Sequence, residues 1–65
     1  MMNAYVIEIG GEDVGLIVRQ TGERAYRFHA ATPALHQLDG YRFATPQAAE
    51  RAAALHMGAR RMRAA

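Results

Sequence analysis

Three histidines, six carboxylates and eight arginines carry most of the reactive chemistry in this 65-residue chain. His29, His36 and His56 raise the question of a metal site, because neutral imidazole is a common ligand for first-row metals. Their placement argues against one. No two stand at the three- or four-residue spacing that puts paired ligands on one helix face, and the chain has no cysteine to complete a set. The expectation is no metal and no cofactor.

Acid–base chemistry would need a carboxylate beside a histidine, and Glu8 with His29 on a neighbouring strand is the pair the pattern offers. Any small sheet holding both residue types offers such a pair, and this chain has little material from which to build a pocket around it. Ser, Cys and Lys are all absent, which removes three of the commonest covalent nucleophiles. The glycine-rich stretch IGGEDVG lacks the Lys-Ser/Thr ending of a phosphate loop and sits between two strand patterns rather than before a helix. No catalytic residue is assigned, and a non-enzyme is expected.

The arginines are the stronger signal. Residues 1–43 hold four of them against five acids, for −1, whereas residues 44–65 hold Arg51, Arg60, Arg61 and Arg63 against Glu50 alone, for +3. Arg60, Arg61 and Arg63 fall where a helix would end, and cations there are favoured by about 0.3–1 kcal/mol through the helix dipole. Three arginines exceed what one helix end requires, and such a cluster can also grip phosphates without reading sequence. All eight basic residues are arginine and fourteen residues are alanine. That pairing fits a G- and C-rich genome and lowers the functional weight of each arginine.

A chain of this length makes one domain, spanning 1–65, and buries only about 60% of the surface its unfolded form exposes. With 51% hydrophobic and 22% charged residues it reads as folded rather than disordered. No apolar run nears the roughly 18 residues of a membrane helix, and the Met-Met-Asn start does not resemble a signal peptide. A soluble cytoplasmic protein of bacterial type is expected.

The elements that must position these residues follow from periodicity. Alternation over AYVIEI, VGLIVR and AYRFHA predicts three strands within about residues 4–30, separated by Gly10-Gly11-Glu12-Asp13 and by Thr21-Gly22-Glu23. Tyr5, Ile7, Ile9, Val14, Leu16, Val18, Tyr26 and Phe28 are assigned to the core face. Residues 31–44 read as a loop in which Leu35 and Leu38 suggest one helical turn, and Tyr41–Phe43 leaves open a fourth strand. Thr45 is a good N-cap with Pro46 at the first helical position, and the helix is expected over about residues 46–63. Its stripe would be Ala48, Ala52, Leu55, Ala59 and Met62, with Gly58 either inside the helix or at its end. The fold class is α+β: a two-layer antiparallel meander of three or four strands packed on one C-terminal helix.

The stretch YRFATPQAAERAAA, an aromatic strand-like segment followed by a Thr-Pro cap and an alanine-rich helix, resembles small proteobacterial β-β-β-α proteins of unknown function. In order of elements, over about residues 5–57, it is also similar to the arm-binding domains of tyrosine recombinases, whose three-stranded sheet reads DNA, and to antitoxins of the HicB class. These likenesses imply a β-β-β-α fold and transfer no functional residue.

One helix covers one sheet face and leaves the other open. The open face is expected to carry Val6, Glu8, Gly15, Ile17, Arg19, Ala25, Arg27 and His29. Within it Val6, Ile17, Arg19, Arg27 and His29 are the candidate partner-binding residues, for a protein partner or a second copy of the chain. The side of the helix bearing Ala54 and Gly58 offers a further contact surface. The alternative is nucleic-acid binding through Arg19, Arg27, Arg60, Arg61 and Arg63.

Overall fold

A computed structural model of the chain describes residues 2–64, with side chains described from Met2 to Gly58. Strands β1 (Asn3–Ile9), β2 (Glu12–Arg19) and β3 (Tyr26–Ala30) are followed by a 3-10 helix over Pro33–Leu38, a short β4 (Arg42–Phe43) and helix α1 (Pro46–Ala64). The sheet is antiparallel with order β1-β2-β3-β4, so each strand neighbours the next in sequence. The α+β meander with one C-terminal helix is therefore the architecture, and Arg42–Phe43 supplies the fourth strand.

Local chemistry explains the connections. Gly10 and Gly11 both take positive φ, 59° and 85°, and alone link the paired residues Ile9 and Glu12. That is the two-residue hairpin whose twist matches its strands, and it places Glu12 and Asp13 in β2 rather than in the turn. Thr45 accepts a hydrogen bond from the Ala48 N–H at 3.1 Å, capping α1 ahead of Pro46. The helix runs through Gly58 to Ala64.

The core consists of Ile7, Val14, Ile17, Tyr26, Phe28, Leu35, Ala49 and Ala53, with Ile9, Ala30, Leu38, Phe43 and Met57 packed against it. Leu35 of the 3-10 helix is fully enclosed and closes the space between α1 and β3. Fully burying a side chain such as Ile17 or Phe28 stabilises the fold by about 1.5–3 kcal/mol.

Two expected faces are corrected. In β2 the register steps from Ile7 opposite Gly15 to Glu8 opposite Asp13, which leaves Val14 as the extra residue of a β-bulge. Val14 and Gly15 are consequently both buried, and the alternation reverses past them. Ile17 turns inward while Leu16 and Val18 turn outward, the reverse of the parity that an unbroken strand from Val14 would have. On α1 the buried residues are Ala49 and Ala53, with Met57 half-buried in line with them, one to two positions along from the expected Ala48, Ala52 and Leu55. Ala48 and Ala52 flank them half-buried, and Leu55 is 69% exposed. The alanine run presents nearly the same side chain on every face, so the strands choose the stripe through close approach rather than through a large apolar residue. Tyr5 lies at the margin of the core, 47% exposed, its ring edge-on to Tyr26 at 5.8 Å. The side chains of Ala59 and Met62 lie outside those described.

Candidate interaction surface

Helix α1 packs on the face that holds Ile7 and Ile17, chiefly against β1 and the 3-10 helix. The opposite face is built in rows across the strands. Ala4, Val18, Arg27 and Arg42 form one row; Val6, Leu16 and His29 form the next; Glu8 and Asp13 form the last. Pairing sets these rows, because residues directly opposite on neighbouring strands project from the same side of a sheet.

The middle of this face is apolar. Val6 is 59% and Leu16 37% exposed, and Val18 adjoins them half-buried. Charge is divided between two corners. Glu8 and Asp13 face each other across β1 and β2, and Arg27 and Arg42 face each other across β3 and β4. All four are exposed, and no ion pair joins any of them to another described residue. Beside the basic corner lies a depression of about 120 Å³ lined by Val18, Gln20, Glu23, Arg27 and His29.

Of the expected partner-binding residues, Val6, Arg27 and His29 stand on this face. Ile17 does not: it is wholly buried beneath the helix. Arg19 is also displaced. The bulge sends it to the core side, where its guanidinium carbon lies 5.0 Å from the centre of the Tyr26 ring and the residue is half-buried. Gly15, expected on the open face, is buried too. Arg60, Arg61 and Arg63 fall on α1, but their side chains lie outside those described.

Sequence reasoning missed Leu16, Val18, Asp13 and Arg42 as members of the face. The first two were hidden by the bulge, and a glycine inside a strand pattern is the signal that betrays one. Asp13 was hidden in a turn that is shorter than its composition suggests, and Arg42 in a strand of two residues.

The histidines do not converge. His29 lies on β3, His36 on the 3-10 helix and His56 on α1, and no group of three or more metal-ligating side chains occurs among the described residues. Glu8 and His29 are not on neighbouring strands, since β2 runs between β1 and β3 and places Leu16 beside His29. No helix among the described residues is long and apolar enough to cross a membrane. In comparisons with family models, with curated proteins and with solved structures, nothing matches this chain.

Proposed function

We propose that this protein is a small non-catalytic interaction module of the cytoplasm that binds protein through its open sheet face. The observation that supports this most directly is the apolar run of Val6, Leu16 and Val18 on a face that no second layer covers among the described residues. A two-layer fold needs only one sheet face for its core, and apolar residues grouped on the other gain by being covered. Polar and charged residues around that run supply the rim that contact surfaces commonly have.

The test is a photo-crosslinking residue placed at Val6 in the protein's native cells, with the same residue at the exposed position Gln37 of the 3-10 helix as control. Discrete adducts at Val6, lost when Leu16→Glu is added and absent at Gln37, are expected. Equal labelling at both positions would mean that the open face holds no partner.

A second reading, nucleic-acid binding, draws support from Arg27 and Arg42, which stand side by side on the same face. It requires that binding of short duplex DNA or single-stranded RNA fall steeply with salt and weaken with Arg27→Ala and Arg42→Ala. Salt-insensitive or absent binding removes it.

A further inference from the structure

We infer that the occupant of the open face is a second copy of this chain, packed sheet to sheet about a two-fold axis that sets the acidic corner of each copy on the basic corner of the other. The inference rests on the reading of that face as an interaction surface, and it names the partner.

Its basis is the placement of charge. Like charges directly opposite one another across strands are unfavourable. This small face carries two such pairs, Glu8 with Asp13 and Arg27 with Arg42. The acidic pair lies at the hairpin end of β1 and β2, and the basic pair at the other end of β3 and β4. They are therefore diagonal opposites, about two strands apart laterally and four residues apart along the strands, or roughly 16 Å at ordinary sheet spacings. Val6, Leu16, Val18 and His29 fill the space between them.

A face with opposite charges at opposite corners and an apolar centre is complementary to itself. A two-fold axis in the plane of the contact, perpendicular to the line joining the corners, exchanges the corners and returns the centre to itself. It passes between Leu16 and His29, so each Leu16 meets the apolar centre of the other copy. The strands of the two copies then cross at roughly 70°, near the orthogonal class of sheet packing. An axis running along the strands would instead gather both acidic corners at one end of the contact and both basic corners at the other, with no acid set over a base. Charge thus selects one arrangement and disfavours another.

Size sets the strength. Four strands at about 4.8 Å and three rows at about 6.7 Å give a face of roughly 400 Å² per copy, about half of a standard interface. A contact this small falls in the class of weak, transient interfaces, so the dimer forms only at high protein concentration.

Sedimentation of the full chain between about 10 µM and 1 mM provides the test. The native chain is expected to dimerise, and Leu16→Glu to abolish dimerisation. The double variants Glu8→Arg with Asp13→Arg, and Arg27→Glu with Arg42→Glu, are each expected to weaken it by about tenfold or more. An equimolar mixture of the two doubles should dimerise again, because one copy then presents basic corners and the other acidic ones. Amide spectra of each double establish that it is folded. A native chain that stays monomeric at 1 mM overturns the inference, as does a mixture that associates no better than its components. Dimerisation indifferent to both charge reversals also overturns it and moves the contact elsewhere, for example to the free edge of β1. If self-association fails while Val6 still crosslinks in cells to a heavier protein, the interaction surface stands and only its occupant is wrong. Loss of both results overturns the two readings together.

Discussion

Gly15 lies directly beneath the ring of Phe28, so that a Cβ added there would overlap the ring's outer carbons. Phe28 is fully buried, and its ring packs edge-on against Phe43 at 6.2 Å, so it has little room to withdraw. The glycine therefore lets the bulged part of β2 pass close under the largest fully buried side chain. Its φ is not positive; space, not backbone conformation, is what requires glycine here.

Gly15→Ala is consequently expected to destabilise the protein by about 1–3 kcal/mol, the usual cost of overpacking. Urea unfolding reads this as a lower midpoint at unchanged slope. Gly15→Ala combined with Phe28→Leu should recover part of the loss, because the shorter side chain vacates the ring's place. A double variant no better than Gly15→Ala alone would mean that the overlap is not the cause.

Leu16 and Ile17 are neighbours in sequence with opposite surroundings, one 37% exposed and the other enclosed. Ile17→Glu would bury an unpaired carboxylate and is expected to prevent folding, since a chain of this size has only a small reserve of stability. Leu16→Glu is expected to leave the circular dichroism spectrum intact and to change stability by less than about 1 kcal/mol. The opposite ranking would place the bulge elsewhere and return Leu16 to the core.

The contrast between these two residues marks how far the fold could be read from sequence. The first three strands, the glycine turns between them, the Thr45 cap and the helix depend on local chemistry and were legible, whereas the fourth strand was left open and Glu12 and Asp13 belong to β2 rather than to the first turn. Which side of β2 faces the helix depends on one extra residue, and shifting register by one residue exchanges every side chain between faces. Valine followed by glycine, leucine, isoleucine and valine is apolar at both parities, so its pattern does not choose. The alanine-rich helix posed the same problem, and its stripe lies one to two positions along from the expected one. The open face inherited the error in β2: Val6, Arg27 and His29, carried by strands with clear alternation, were placed correctly, whereas Ile17 and Arg19 were exchanged with Leu16 and Val18.

Helix α1 permits two changes of opposite sign. Thr45→Ala removes the acceptor of the Ala48 N–H and is expected to cost about 1 kcal/mol. Gly58 has a helical position, no positive φ, and nothing within 4 Å of an added Cβ. Gly58→Ala is therefore expected to stabilise by about 0.5–1 kcal/mol. Thermal melts of the two variants should move in opposite directions. Destabilisation by Gly58→Ala would show that the helix ends there in a left-handed cap, against the continuation to Ala64.

Asp39 ties the 3-10 helix back to the sheet. Its Oδ1 accepts from the Ala30 N–H at 2.8 Å, beyond the point where β4 pairs with β3, while Gly40, at φ 86°, donates its N–H to the Phe28 carbonyl at 2.8 Å. The carboxylate thus supplies the acceptor that a longer β4 would otherwise provide. Asp39→Ala leaves the Ala30 N–H to water and is expected to destabilise by about 0.5–1.5 kcal/mol, with faster exchange of the Ala30 amide. Asp39→Asn keeps an acceptor oxygen at the same position and should retain most of that protection. Unchanged exchange at Ala30 in Asp39→Ala would mean that β3 is closed by its backbone partners alone, and that Leu35 is held over the core without help from this side chain.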